Sequence, residues 1–191
     1  MNQSFFQIKR AIVILSASIW GVAAPGVMAI ELSDGTVWFE KSPRLLKITT
    51  TYSQIYLRGS TYYFTLELPQ DVGEQLGKVV INQRQGFEDI RFKLEDTRAF
   101  VETDGERGES LTIEETTQDA QTGAIAVTFG QAVDPGTTVT VGLRPIRNPI
   151  TSGAYIFGVT AFPAGEKSHG IYLGSRSIRF TEGDEIDSRR H

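Results

Sequence analysis

Five separate stretches of this chain alternate apolar and polar side chains residue by residue. Tyr62, Phe64, Leu66 and Leu68 interleave with Thr61, Thr65 and Glu67, and Ile90, Phe92 and Leu94 with Arg91, Lys93 and Glu95. Leu111 and Ile113 flank Thr112, with Glu114 following. Ile125, Val127 and Phe129 interleave with Ala126 and Thr128, and Val139, Val141 and Leu143 with Thr138, Thr140 and Gly142. A period of two puts successive side chains on opposite faces of a strand, so each stretch has one face to bury and one to wet. That pattern fits half-buried antiparallel strands and excludes a helical fold.

Weaker strand signals lie at residues 36–39, 45–51, 78–82 and 171–180. Residues 155–162, YIFGVTAF, are apolar on both parities and predict a central strand covered on both sides. Turn signals punctuate the strands, among them Asp104-Gly105, Thr122-Gly123, Asp134-Pro135-Gly136 and Asn148-Pro149. One short helical turn is expected at residues 71–76, capped by Asp71. The expected fold is all-β: an immunoglobulin-like antiparallel β-sandwich of eight to ten short strands, with a flattened barrel or jelly roll as alternatives.

Residues 1–29 have the layout of a secretory signal. Lys9 and Arg10 form a charged start, residues 11–24 an uncharged apolar run, and Val27-Met28-Ala29 a small-residue cleavage site. The run is shorter than the roughly 20 residues that span a bilayer, which argues against an uncleaved anchor. The expected organisation is a signal at 1–29, one sandwich domain at 30–180 and a polar tail at 181–191. Removing Lys9 and Arg10 with the signal takes the formal charge from −4 to −6. So acidic a chain is a poor partner for nucleic acid or for an anionic lipid surface. The expected location is outside the cytoplasm, in the periplasm, the medium or a thylakoid-type lumen, with no stable membrane insertion after cleavage.

The chain has no cysteine, and its two methionines, Met1 and Met28, fall in the signal. Disulfides, thiol nucleophiles, Cys-ligated zinc and iron–sulfur clusters are therefore excluded. The histidines are His169 and His191, too few for a three-His zinc site. No cofactor is implied. No GxSxG, HExxH or EF-hand pattern occurs, and GEQLGKV at 73–79 fails the P-loop spacing.

Several strings stand out together: Val37-Trp38-Phe39, then TYYFTLELP at 61–69, TRAF at 97–100, DPGTTVTVGLRP at 134–145, RNP at 147–149 and GAYIFGVTAFPAG at 153–165. In combination they resemble a cyanobacterial family of exported proteins known as DUF2808, over roughly residues 36–180. The resemblance implies an exported cyanobacterial domain and brings no activity, substrate or cofactor. The chain departs from the family pattern at Ser42-Pro43 and Gln131-Ala132, where a Pro-Pro pair is usual.

The residues with most potential for recognition lie in LRPIRNPITSGAY, 143–155. Arg144, Arg147 and Asn148 sit between two prolines that stiffen the backbone, with Tyr155 close behind. Two guanidiniums on a rigid loop suit carboxylate, phosphate or sugar hydroxyls. The competing reading is structural, with arginines tying loops together and Asn148 forming a turn before Pro149. Arg98, Arg176 and Arg179 are further arginines that could join them. Tyr63, on the polar parity between Thr61 and Thr65, could stack a sugar or pair across the sheet. The acidic loop 102–109, with Glu102, Asp104, Glu106 and Glu109, is a weak calcium candidate because Arg107 interrupts it.

The first functional reading is an exported, non-catalytic binding or interaction domain of the cell envelope, its partner an unidentified envelope protein or polysaccharide. The second is a carbohydrate- or anion-binding module using Arg144, Arg147, Asn148 and Tyr155. A hydrolase built from carboxylates alone, with Glu67, Glu88 and Glu95 as candidates, ranks third.

Overall fold

A computed structural model describes residues 30–31, 35–103 and 105–183. The expected signal at 1–29 and residues 184–191 of the expected tail lie outside the described residues. The strands are β1 (Ile30–Glu31), β2 (Val37–Trp38), β3 (Arg44–Thr50), β4 (Tyr62–Glu67), β5 (Leu76–Gln85) and β6 (Phe92–Thr103). They continue with β7 (Glu106–Leu111), β8 (Ile113–Gln118), β9 (Ile125–Val133), β10 (Thr138–Pro145), β11 (Gly153–Pro163) and β12 (Ile171–Phe180).

Ten of these strands form two antiparallel five-stranded sheets, ordered β3-β4-β10-β6-β7 and β12-β11-β5-β9-β8, and β1 pairs with β2 alone. The order β3-β4-β10-β6 reproduces the A-B-E-D sheet of an immunoglobulin sandwich, and β5-β11-β12 its C-F-G sheet. Strands β7 to β9, inserted between the D and E equivalents, widen both sheets. The chain is all-β, as the alternation requires.

The two inner faces meet in one aromatic-rich core. Tyr62, Phe64 and Leu66 of β4 and Val139, Val141 and Leu143 of β10 are fully buried on one side. Tyr155, Phe157, Val159 and Ala161 of β11 face them from the other. The Phe157 ring lies edge-on to Tyr62, Phe64 and Phe92, with centroids 6.0, 5.7 and 6.5 Å away. Such pairs contribute roughly 0.5–1.5 kcal/mol each beyond burial. At the open side of the sandwich, the Arg176 guanidinium donates to the Leu45 carbonyl at 3.1 Å, tying β12 to β3.

Three local expectations need correction. No helix forms at residues 71–76. Gly73 takes a φ of +87°, and the Val72 carbonyl accepts from the Glu40 backbone N–H at 2.9 Å rather than from a following turn. Leu111 and Ile113 belong to two strands, because the chain crosses between the sheets at Thr112, whose carbonyl accepts from Gly130 N–H at 2.9 Å. Each residue points at the core from its own sheet, which the alternation alone cannot distinguish from a single strand. Among the described residues, no layer covers the second face of β11. Ile156, Thr160 and Phe162 are half-buried, screened by long side chains such as Lys78, whose ammonium lies 4.4 Å above the Phe162 ring.

Thr181, past the last strand, exchanges backbone hydrogen bonds with Ser53 and Ile55. The 163–170 loop is clamped to β2 by backbone bonds from Val37 to Lys167 and from His169 to Val37. There His169 stacks flat on Trp38, with ring centroids 3.5 Å apart.

Burial pushes the Tyr62 hydroxyl well above the usual phenol range, with Tyr155 and Glu88 adding to the rise. Burial raises Tyr155 too, and the nearby Glu88 carboxylate reinforces it. Both groups ionise near pH 10 when unfolded and later when folded, so their contribution is complete below pH 10 and falls above it. Stability should therefore decline as pH rises past about 10, more steeply in the native chain than in Tyr62→Phe. Urea denaturation midpoints measured from pH 8 to 11 will show whether the two curves diverge.

Candidate functional site

Arg144, Arg147, Asn148 and Tyr155 do not converge on one cavity. Asn148 is fully buried. Its side-chain amide donates to the carbonyls of Tyr52 at 3.0 Å and Gln54 at 2.8 Å. Its Oδ1 accepts from the Tyr62 hydroxyl at 3.0 Å, and its backbone N–H donates to Leu57 at 2.7 Å. The side chain is thus the buried joint between the 51–61 loop, the 146–152 loop and the core. Tyr155 is also buried, its hydroxyl donating to the Thr151 carbonyl at 3.0 Å. Arg147 is exposed in a shallow recess beside Glu88, Arg91 and Ile146. Arg144 lies elsewhere, on the outer face of the β3-β4-β10-β6-β7 sheet, 3.6 Å from Asp96.

That outer face contains a recess lined by arginines and aromatic rings. Inward residues of β10 alternate with Thr138, Thr140, Gly142 and Arg144, which face outward. Gly142 pairs across the ladder with Tyr63 of β4 and Arg98 of β6. Because Gly142 has no side chain, the middle of the sheet dips into a hollow of about 160 Å³. Its position is tight: a Cβ there would meet Thr61 and Tyr63 side-chain carbons at 3.2 Å. Tyr63 and Phe100 form aromatic walls, edge-on with centroids 6.3 Å apart.

Three arginines surround this hollow. Arg144 comes from β10 itself and Arg98 from the neighbouring β6, and Arg107 reaches over from β7 with its guanidinium 4.9 Å above the Phe100 ring. Asp96 is the single acid lining it. Among the described residues, neither Arg98 nor Arg107 lies within ion-pair distance of a carboxylate. The recess is thus a cationic, aromatic-walled dish with two guanidiniums available to an incoming anion.

Beside the dish, the outer face is knitted by hydroxyls. Thr65 and Thr140 share a 2.6 Å hydrogen bond, Thr140 donates to Glu102 at 2.7 Å, and Lys47 lies 3.4 Å from the same carboxylate. Glu102 therefore faces the sheet. Among the described residues, no three His, Asp or Glu side chains form a group that could hold a metal ion. Glu67 pairs with Arg44 at 2.7 Å, and Glu88 accepts from the backbone N–H of Ile150 at 2.6 Å and of Thr151 at 3.1 Å.

The sequence signalled part of this dish. Arg144 and Tyr63 stood out, and Arg98 and Phe100 share one parity of β6. Arg107 entered the sequence reading only as an interruption in an acidic loop. Its role depends on the β6–β7 hairpin, which pairs Thr103 with Glu106 and sets Arg107 opposite Glu102.

A family model described as "Protein of unknown function (DUF2808)" matches residues 36–180. No curated protein matches the chain. Among solved structures, BslA, a bacterial hydrophobin, is 18% identical, with 74% of this chain and 100% of that chain covered and a TM-score of 0.41. ACE19, the collagen-binding subdomain of the Enterococcus faecalis surface protein ACE, is 10% identical, with 75% and 100% covered and a TM-score of 0.40. The collagen-binding domain of a Staphylococcus aureus adhesin is 8% identical, with 63% and 86% covered and a TM-score of 0.36. At these values no role passes from those proteins to this chain.

Asn148 and Arg144 should separate cleanly in stability. Asn148→Ala leaves the Tyr62 hydroxyl and two loop carbonyls without their partner and should cost about 2–4 kcal/mol. Arg144→Ala breaks one exposed, long ion pair and should cost less than about 0.5 kcal/mol. Urea denaturation of the two variants measures both.

Proposed function

The chain belongs to the DUF2808 family of proteins of unknown function, and from that premise we propose that it is an exported, non-catalytic binding domain for an anionic polysaccharide of the cell envelope. The observation that carries the proposal is the Gly142 dish, with three arginines, one aspartate and two aromatic walls. Sugar rings stack on aromatic faces, and carboxylate or sulfate groups take paired N–H donors from guanidinium. The threonines along the same face offer hydroxyls to a chain lying across the strands. A flat sheet face fits a repeating polymer better than a small enclosed substrate. Of the three acids that might serve catalysis, Glu67 is engaged with Arg44 and Glu88 with backbone N–H groups, while Glu95 is exposed on β6, which favours binding over hydrolysis. The layout of residues 1–29 supports export.

Isothermal titration with dextran sulfate, polygalacturonate and neutral dextran tests the proposal. The anionic polymers should bind and neutral dextran should not. Arg98→Ala and Arg144→Ala should each weaken binding by roughly tenfold or more, the worth of one charged hydrogen bond, with the melting temperature essentially unchanged. Equal binding of neutral dextran, or unchanged affinity in both variants, would refute it.

A further inference from the structure

We propose that the polymer bound at the Gly142 dish carries an acyl group, and that a second hollow beside the dish receives it. The inference rests on the dish being a site for an anionic polysaccharide, and it names the kind of acidic polysaccharide preferred. A dish of about 160 Å³ is smaller than the roughly 300–1,000 Å³ of most ligand sites. A neighbouring hollow of about 450 Å³ shares two of its walls, Arg98 and Arg107. Joined, the two recesses reach the usual size of a ligand site.

The second hollow exists because β7 leaves its sheet early. Its last ladder pair sets Leu111 opposite Ala99, so Arg98 and the residues of β6 before it have no partner on β7. The chain crosses at Thr112 and resumes as β8 at Ile113. That step leaves a notch along the free edge of β6. Ala99 is buried, and Leu111 and Ile113 are half-buried against the core. All three line the notch, together with the exposed Ser110. The notch is thus apolar at its base, with one hydroxyl and two guanidiniums at its rim.

Charge selects what enters. None of the described residues lining the notch is acidic, but the exposed Glu109 and Glu114 stand next in sequence to Ser110 and Ile113. A second carboxylate or sulfate would be repelled by these acids, whereas a neutral group would not. Arg98 and Arg107 hold the anionic group of the ligand where the two recesses meet. The part of the ligand on the notch side is therefore uncharged. It has a methyl to cover Leu111 and Ile113 and a carbonyl oxygen to accept from the Ser110 hydroxyl or a guanidinium N–H. An acetyl ester on an acidic sugar has both.

The test is calorimetric titration of the full chain with length-matched oligogalacturonate, its O-acetylated form and its methyl ester. The acetylated acid should bind roughly tenfold more tightly than the plain acid, the joint worth of one buried methyl and one added hydrogen bond. The methyl ester has apolar groups but no carboxylate, and should bind more weakly than either acid. Ile113→Thr keeps a branched side chain but puts a hydroxyl in the notch, and Ser110→Phe fills the notch from an exposed position. Each should bring the affinity ratio of acetylated to plain acid down to about one. The inference is overturned if acetylation leaves affinity unchanged, if the methyl ester binds as tightly as the acetylated acid, or if both variants keep the preference. Arg98→Ala separates the two levels. If it weakens both acids while acetylation has no effect, the dish stands and the acyl preference falls. If neither acid binds the native chain, the reading of the dish falls and the inference with it.

Discussion

Everything else in the structure depends on the two-faced alternation of the paired strands β4 and β10. Their inward residues, Tyr62, Phe64, Leu66, Val139, Val141 and Leu143, form one wall of the core and are fully buried. Their outward residues, Tyr63, Thr65, Thr140, Gly142 and Arg144, line or border the cationic dish. One register fixes both, because a slip by one residue would exchange core and surface along the whole strand. The dish is as rigid as the core behind it, so its arginines and aromatic walls are held in place before a ligand arrives.

The same pair of strands is joined to the loop end through Tyr62. Its ring sits in the aromatic cluster with Phe157 and Phe180, and its hydroxyl reaches Asn148. Asn148 in turn holds the loops that carry Tyr56, Leu57 and Ile150. A buried amide with this many partners is costly to disturb and specifies one loop arrangement. The RNP string therefore reads as a structural joint at Asn148 flanked by an exposed arginine at 147, rather than as a compact binding motif.

Much of the fold was legible in the sequence, because a period of two is a strong local signal. Ten strands fall into the two sheets; the weak signals at 78–82 and 171–180 lie in strands, that at 45–51 lies in one up to Thr50, and that at 36–39 holds the two-residue strand Val37–Trp38. The sheet crossing at Thr112 was illegible, since a residue facing the core from either sheet looks alike in sequence. The turn at 71–76 was misread because the N-cap signal of Asp71 says nothing of Gly73 adopting positive φ. The site was legible only in pieces. Tyr63, Arg98 and Arg144 carried a chemical signal, but the hollow itself is the absence of a side chain at Gly142. Arg107 enters only through hairpin register. Asn148 and Tyr155 looked like recognition residues because burial is a property of the fold, not of the residue type.

The central claim is that the outer face over Gly142 recognises an anionic polymer. Amide and side-chain chemical shifts, followed during titration with a short sulfated oligosaccharide, test it most directly. The account predicts progressive shifts confined to Tyr63, Arg98, Phe100, Arg107, Gly142 and Arg144, with the 146–152 loop unmoved. Shifts centred on the loop end, or none on the outer face at saturating ligand, would contradict it.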